Sequence, residues 1–253
     1  MCNMPLGLGW LWRAMTKVSQ MFAPYVAGRL SALPKFRECL EKLSELGFVP
    51  EFYPAHSMVF DQGVSQTRIS IIESGWGCLS TYLADGQRQV IDFPLKGDLI
   101  AEHVPGKASL ASFTAITDLR ILAAPVQSVM SGSGPSTKLQ TALLDAASRR
   151  STIFQQHLTN LGRRSALKRT AHLLLELHAR LEMVTQQDDK GYVCPLTQYD
   201  LADALGLTPI HVNRMLRELR ERELLEFRHG HVHFLNRPGL IDFAEFDADY
   251  LKM

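Results

Sequence analysis

One stretch, from Leu196 to Leu225, constrains the fold of this chain more than any other part of it. Thr197 followed three residues later by Asp200 is the pattern of a capping box at a helix N-terminus. Gly206 then supplies a residue that tolerates the left-handed conformation in which helices commonly end. A second helix start follows at once, because Thr208–Pro209 offers an N-cap and a proline at the first helical position. The spacing therefore predicts two short helices joined by a tight turn.

The second predicted helix has an apolar and a polar face, and a hairpin follows it. Its apolar stripe recurs at helical spacing at Val212, Met215, Leu216 and Leu219. Polar residues occupy the other faces: Asn213, Arg214, Arg217, Arg220 and Arg222. Beyond the helix, Leu224–Phe227 and Val232–Leu235 are typical of two short strands around a glycine turn. An ordinary helical hairpin with a solvated face is one interpretation, but the arginines and the hairpin favour a winged helix-turn-helix that binds double-stranded DNA.

The length and charge of the chain narrow the class of protein. With 253 residues, 46% hydrophobic and 21% charged, the chain suits two globular domains. A net charge of +1 argues against a uniformly basic coat protein for nucleic acids, but it allows a DNA-binding protein whose positive charge lies on one face. No apolar run reaches membrane-spanning length. We therefore expect a cytoplasmic protein without membrane contacts.

Residues 1–21 are interpreted as a flexible N-terminal arm. They are largely apolar, but no charged region precedes the apolar residues, as a signal peptide would require. Translation from Met15 or Met21 is the alternative interpretation. Beyond the arm, leucines between Tyr25 and Leu46 indicate short amphipathic helices.

The four cysteines, Cys2, Cys39, Cys78 and Cys194, are widely scattered. Because no two of them form a CxxC pair, the sequence predicts neither a zinc knuckle nor a clustered iron–sulfur site. Reduced thiols are the expected state, and a redox-sensing role for one of them is the alternative.

From Phe48 to about Pro125 the sequence changes to short β-rich runs separated by glycine-containing turns. Asp85–Gly86 is a strong signal for a hairpin turn between two of them. Short strands at such regular spacing are typical of an antiparallel sandwich or β-roll. We therefore assign residues 22–130 to a β-roll sensor domain.

A long helix is predicted at residues 136–164, after a break at Ser131–Pro135. Its apolar residues fall roughly on one side, at Leu143, Ala147, Phe154, Leu158 and Leu161. A long helix between two domains often forms a dimer seam, so we predict that these residues meet a second copy of the chain. Packing only within its own chain is the alternative. A further helix from Ser165 to about Val184, and a polar hinge at 186–191, would begin the DNA-binding domain at residues 165–253.

A β-roll, a long helix and a winged helix-turn-helix in this order resemble the CRP/FNR family of bacterial transcription regulators. The resemblance covers Phe22 to Leu251, and its most specific stretch is LADALGLTPIHVNRMLRELRERELL at residues 201–225. It implies an α+β fold with an N-terminal antiparallel β-roll (a double-stranded β-helix of the cyclic-nucleotide-binding type), a long dimerisation helix and a C-terminal winged helix-turn-helix. It also implies a homodimer on a palindromic operator, no enzymatic activity, and RNA polymerase as a partner if the protein is an activator.

The resemblance further implies how the chain contacts DNA. The family's recognition helix enters the major groove, and its arginine falls on Arg214, which can donate two parallel bonds to guanine. Many members carry a glutamate where this chain has Ile210, which can touch a thymine methyl group but cannot accept a bond from cytosine. His211 and Asn213 add hydrogen-bonding groups, and Asn213 can pair with adenine. With Arg217 and Arg228 assigned to phosphates, the implied DNA-binding residues are Thr208, Pro209, Ile210, His211, Asn213, Arg214, Arg217 and Arg228.

The effector pocket is where this chain departs from the family pattern. Members that bind cyclic AMP carry a glycine–glutamate pair and, further on, an arginine–serine pair that cradles the phosphate. Here the matching residues read Ala101–Glu102 and Lys107–Ser109, without an arginine, and a lysine offers a point charge rather than a bidentate fork. We therefore expect no cyclic nucleotide, no cofactor and an unidentified effector. The candidate pocket residues are Gly97, Asp98, Glu102, Lys107 and Ser109.

Other functions remain as alternatives to an effector-responsive regulator. The same fold could bind DNA without any effector. A metal enzyme of the cupin type would need two or more histidines and a carboxylate converging in the roll, where the sequence offers only His56 and His103. Haem ligation through either histidine is a related alternative. The alternating histidines of the hairpin could form a metal patch or a solvated, phosphate-facing surface, at His229, His231 and His233.

Overall fold

The computed structural model describes residues 47–102, 107–131, 137–185 and 189–252. The predicted N-terminal arm and the helices between Tyr25 and Leu46 lie outside these ranges. The N-terminal strands are β1 Val49–Tyr53, β2 Met58–Phe60, β3 Arg68–Ser74, β4 Gly77–Tyr82, β5 Arg88–Asp92, β6 Leu99–Ile100, β7 Ser112–Ala115 and β8 Leu119–Pro125. In the described residues they form two antiparallel four-stranded sheets, ordered β1-β8-β3-β6 and β2-β7-β4-β5. This arrangement confirms the predicted β-roll.

The core of the roll lies between the two sheets. Ile72 and Ile121 from one sheet pack against Leu79 and Phe113 from the other, and each of these side chains is at most 1% exposed. Alternation along the strands produces this core, because every second side chain of a strand faces the same side of its sheet. One turn also requires glycine. Gly75 has φ +96°, and a Cβ there would lie 2.2 Å from the Asp118 carbonyl oxygen.

Three helices follow the roll, and the longest of them packs along it. They are α1 Val126–Ser131, α2 Thr137–Arg163 and α3 Ala166–Glu182. Leu143 of α2 packs on the roll cluster that contains Ile69 and Leu122. The Ser165 side chain caps α3 by accepting a bond from the Lys168 backbone N–H, so a new helix begins two residues after α2 ends. No helix in the described residues combines the length and apolar character that a membrane span requires.

The C-terminal domain is a winged helix-turn-helix, as the sequence predicted. Its elements after α3 are β9 Gly191–Val193, α4 Gln198–Leu205, α5 Pro209–Glu221, β10 Leu225–Arg228, β11 His231–Phe234, α6 Arg237–Ala244 and a 3-10 turn at Ala248–Leu251. The wing is a three-stranded sheet of order β10-β11-β9 rather than a two-stranded hairpin. The hinge predicted at residues 186–191 is therefore wrong for Gly191, which is the first residue of β9. Gly191 pairs with His233, and a Cβ there would lie 2.0 Å from the Val232 carbonyl oxygen.

Buried ion pairs join the C-terminal domain to the roll. Arg180 of α3 is 2% exposed, and it donates to Asp92 at 2.8 Å and to Asp98 at 2.7 Å. Glu176, one turn earlier, has a fully buried side chain and bonds His157 of α2 at 2.9 Å. A buried charge is tolerated only when it is paired and hydrogen-bonded. These contacts therefore fix α3 against both the roll and α2.

A second link joins the roll to the helix-turn-helix itself. Arg88 of β5 donates to Asp203 at 2.6 Å and to Asp200 at 2.9 Å, and both carboxylates belong to α4. Gln89 approaches the same helix through its amide, 3.5 Å from the Ala204 carbonyl oxygen. The position of the helix-turn-helix is thus set partly by the roll.

Candidate nucleic-acid interface

The first helix of the motif begins and ends as its sequence predicts. The Thr197 hydroxyl accepts from the Asp200 backbone N–H at 3.1 Å, and the Asp200 carboxylate accepts from the Thr197 backbone N–H at 2.9 Å. This reciprocal pair is the capping box. Gly206 ends the helix in the left-handed conformation, with φ 60° and ψ 44°. The tight turn that follows places the start of α5 close to α4.

The second helix buries one face and leaves its N-terminus exposed. The Thr208 hydroxyl caps α5 by accepting from the His211 backbone N–H at 3.2 Å, with Pro209 at the first helical position. The predicted apolar stripe is buried, at Val212, Met215, Leu216 and Leu219. Ile210 lies on the opposite side and is 82% exposed. An exposed isoleucine at the end of a helix is suited to contact with an apolar group on a partner, such as a thymine methyl.

Two exposed arginines of α5, Arg214 and Arg217, are oriented by neighbours on the same helix. Arg214 donates from Nη2 to His211 Nε2 at 2.9 Å. Arg217 donates from Nε to Glu221 at 2.7 Å. Such pairs one turn apart order a side chain while leaving most of its N–H groups free for a partner.

Asn213 is engaged differently from the other residues predicted to contact DNA. Its side-chain amide exchanges two hydrogen bonds with the amide of Gln198, the first residue of α4. The bond from Gln198 Nε2 to Asn213 Oδ1 is 2.5 Å long, and the return bond from Asn213 Nδ2 to Gln198 Oε1 is 2.6 Å long. Both residues are exposed, so the pair lies on the surface of the motif.

A groove of about 480 Å³ runs between α5 and the wing. Arg217 and Arg220 line its helical side, and Arg228 and Gly230 line its wing side. The wing turn is tight, because His229 and Gly230 both have positive φ, at 50° and 72°. Three guanidinium groups around one exposed groove form a surface that attracts a polyanion such as the DNA backbone.

Two residues of this surface, Arg220 and Gln198, were not among the predicted DNA-binding residues. Arg220 lies three positions after Arg217 and could have been assigned to the same face by helical spacing. Gln198 could not, because its pairing with Asn213 depends on how α4 and α5 cross. The remaining predicted residues, from Thr208 to Arg228, lie on or beside the α5–wing surface.

The predicted dimer residues of α2 divide into two groups. Leu143 and Phe154 are partly buried against clusters of the roll, because the helix turns that side toward its own chain. Ala147, Leu158 and Leu161 are exposed, and Leu158 is 73% exposed. Leu144, which is 66% exposed, extends the same outward side. Exposed leucines along a long helix are the kind of apolar surface that a second copy can cover.

The predicted effector residues are largely engaged within the chain. Asp98 accepts from Arg149 at 2.6 Å as well as from Arg180. Burial acts to raise the pKa of the Asp98 carboxyl, but the two arginines outweigh burial and lower it. Glu102 bonds Arg150 of α2 at 2.5 Å. The Ser109 hydroxyl is buried and donates to the Ala111 carbonyl oxygen at 2.7 Å.

One cavity in the described part of the roll is small. Its volume is about 60 Å³, and Glu51, Arg68 and Glu102 are among its lining residues. Of the five predicted effector residues, Glu102 lines this cavity, whereas Asp98 faces the helices, Lys107 is exposed, and Gly97 donates its N–H to the Ile72 carbonyl oxygen. Sites for small organic ligands usually have volumes of about 300–1,000 Å³. The volume of this cavity is below that range.

The polar network beside the roll has strongly shifted pKa values. Burial acts to lower the pKa of His157, but the facing Glu176 outweighs it and raises the pKa to about 9. Burial acts to raise the pKa of Glu176, but His157 and Arg180 lower it to about 2. Burial lowers the pKa of His172 to about 4. At neutral pH the His157–Glu176 pair is therefore charged, while His172 is neutral.

The histidines and cysteines do not assemble into a metal site in the described part of the chain. No group of three or more potential ligands is close enough to hold an ion there. The rings of His231 and His233 stack at 5.8 Å on the exposed wing, and His103 lies outside the described residues. Cys78 and Cys194 are buried, and burial raises the pKa of each thiol to about 12. Neither thiol is therefore a reactive thiolate at neutral pH.

Comparisons with known proteins agree with both domains. The model for the Crp-like helix-turn-helix domain matches residues 168–243, and the model for the cyclic nucleotide-binding domain matches residues 50–131. The transcriptional activatory protein AadR of Rhodopseudomonas palustris is 30% identical over 191 residues, which cover 73% of this chain and 76% of that protein. The nitrogen fixation regulation protein FixK of Bradyrhizobium diazoefficiens is 25% identical over 201 residues, which cover 78% and 82% of the two chains. The solved structure of FixK2 from Bradyrhizobium japonicum aligns with a TM-score of 0.69 at 23% identity, covering 78% of this chain and 96% of that one.

Proposed function

Because the chain belongs to the CRP/FNR family of transcription regulators, which are DNA-binding proteins and not enzymes, we propose that it activates transcription as a homodimer bound to a palindromic operator. The observation that carries the proposal is the α5–wing surface, where three arginines line a groove beside an exposed helix N-terminus. Activation is supported by the relatives, since AadR is named a transcriptional activatory protein. An activator of this kind acts on chromosomal DNA in the cytoplasm, with RNA polymerase as its partner.

The proposed dimer uses the outward side of α2. Leu144, Leu158 and Leu161 are exposed there, and two copies of this side would bury them against each other. A two-fold axis along the helices would present two α5 helices to successive major grooves, about 34 Å apart. Each half-site would then be read by Arg214 and Ile210, while Arg217, Arg220 and Arg228 contact phosphates.

Two candidates differ in whether the roll binds an effector. The family relationship favours a roll that responds to a ligand. The described roll favours a second candidate, a regulator that needs none, because its cavity of about 60 Å³ is bordered by Glu102, which already pairs with Arg150 of α2. Comparing operator affinity before and after extensive dialysis would separate the two. A loss of affinity that cell extract restores supports an effector, and unchanged affinity supports the second candidate.

Random-sequence selection with the purified protein tests the main proposal. We expect enrichment of a palindrome whose half-sites are one helical turn apart. Leu158→Glu should abolish dimerisation in sedimentation analysis and weaken operator binding strongly, because it places a charge at the proposed seam. Leu110→Glu is the matched control, since Leu110 is 83% exposed on the roll and should have no effect on either measurement. A monomeric wild-type protein that enriches no palindrome would overturn the proposal.

A further inference from the structure

The pair formed by Gln198 and Asn213 links the two helices of the motif at the surface that meets DNA. Gln198 is the first residue of α4, and Asn213 lies one turn into α5, next to Arg214. Each amide donates one hydrogen bond to the other and accepts one in return, at 2.5 and 2.6 Å. Two opposed bonds between planar groups hold both amides in one orientation, whereas a single bond would leave each free to rotate.

The pair occupies the edge of Asn213 that could read a base. Asparagine recognises adenine by accepting from its N6 amino group and donating to N7, which uses the carbonyl oxygen and one N–H on the same edge of the amide. The ring formed with Gln198 uses the same oxygen and one N–H of the same amide. To contact adenine in this way, Asn213 would have to break two hydrogen bonds in order to make two. The free energy gained by binding adenine rather than another base is then largely cancelled by the loss of the two bonds to Gln198.

The neighbouring residues are not blocked in this way. Arg214 uses Nη2 to bond His211 and keeps further N–H groups for guanine. Ile210 is 82% exposed and needs no hydrogen bond to touch a methyl group. Arg214 and Ile210 are therefore available to contact bases. The amide edge of Asn213 that would contact adenine is already hydrogen-bonded to Gln198.

We propose that Gln198 is a specificity-determining residue, because it holds the amide edge of Asn213 and thereby removes an adenine contact from each half-site. Gln198 acts through Asn213 and is in this respect a positioning residue. The inference rests on the proposed function, since it concerns which bases the α5 helix selects.

The test is a random-sequence selection with four proteins: wild type, Gln198→Ala, Asn213→Ala and the double variant. Gln198→Ala frees the Asn213 edge, and we expect a gain of at least fivefold in preference for adenine at one position of each half-site, the lower end of a bidentate contact of about 1–3 kcal/mol. Asn213→Ala alone should leave the wild-type preference unchanged there. The double variant should lose the gain, because the group that reads adenine is absent.

A control and a folding check accompany the selection. Gln87→Ala removes another exposed glutamine amide, which bonds Asp85 on the roll hairpin, and it should leave the selected sequence unchanged. Thermal unfolding should be nearly the same for all variants, since the altered side chains are exposed.

The outcomes separate this inference from the proposed function. A wild type that selects a palindrome, together with a Gln198→Ala variant that selects the same bases, overturns the inference alone. An adenine preference in the wild type that Asn213→Ala removes also overturns it. A wild type that selects no sequence overturns both.

Discussion

The C-terminal domain carries charge on two faces, and the two faces use it differently. On the outer face, the arginines of α5 are exposed, and Arg217 pairs with Glu221 within one helical turn. On the inner face, Arg180 is buried and bonds Asp98, which lies 82 positions away in the sequence. Exposed pairs of this kind contribute little to stability and leave the arginine available to a partner. Buried pairs across domains instead determine where α3 and the helix-turn-helix are held against the roll.

Replacing Arg180 should give the largest effect, and the property that changes should be the stability of the fold. Arg180→Met would leave Asp92, Asp98 and Glu176 buried without their shared cation, so we expect the free energy of unfolding to fall by about 3–5 kcal/mol. Chemical denaturation measures this change. Arg214→Ala, on the outer face, should leave the unfolding midpoint nearly unchanged. Similar losses from the two variants would remove the distinction between the faces.

The next largest effect should be on the pH dependence of stability, through the buried His157–Glu176 pair of the inner face. The pKa of His157 is raised to about 9 in the folded chain, from about 6.5 when unfolded. Its contribution is therefore fully present below about pH 6.5 and is lost as the pH rises toward 9. We expect wild type to lose up to about 3 kcal/mol relative to His157→Gln over this range.

Urea denaturation at several pH values checks this expectation. The matched control is His56→Gln, since His56 is exposed in a turn of the roll, and it should not alter the slope. A His157→Gln variant with the same pH dependence as wild type would contradict the role assigned to the buried pair.

Substitutions on the outer face should change DNA binding rather than the free energy of unfolding. Arg214→Ala should lose discrimination at one base pair of each half-site, by about 1–3 kcal/mol, because a bidentate contact to guanine disappears. Competition binding with single-base operator variants measures this loss. Arg222→Ala, at the C-cap of the same helix, serves as the control, since Arg222 bonds Glu218 and lies over the Phe243 ring. An equal loss of discrimination in Arg222→Ala would mean that Arg214 does not read the base.

The smallest expected effect concerns the wing. Arg228→Ala should weaken binding evenly across sequences and reduce the slope of log affinity against log salt by about one unit, because one phosphate contact is lost. Arg120→Ala, on the roll, should leave the slope unchanged. If Arg228→Ala instead altered the base preference, the wing would be reading sequence.

The sequence predicted the outer face better than the inner face, for a physical reason. The capping box at Thr197, the stop at Gly206 and the start at Thr208 are local, since each depends on residues three or four positions apart. The roll was also predictable, because strands alternate at a fixed period and turns have their own residues. The third wing strand was not, since Gly191–Val193 is short and is stabilised by pairing with β11.

The effector region shows the limit of prediction from local pattern. Asp98 and Glu102 were assigned to a pocket because they match a motif by position. In the structure they bond Arg149 and Arg150 of α2, contacts that span 51 and 48 positions. Long-range contacts of this kind depend on how α2 crosses the roll, which no local spacing reveals. The same holds for Gln198, whose partner is across the turn.

The bridge from Arg88 to α4 has a consequence for protein engineering. Asp200 both caps α4 and accepts from Arg88, while Asp203 shares the same guanidinium. A chimera that grafts this C-terminal domain onto a different roll would place two carboxylates at the graft boundary with no cation facing them. Such a chimera needs a basic residue at the position of Arg88, or neutral substitutes for Asp203, before its promoter preference can be attributed to the transplanted domain alone.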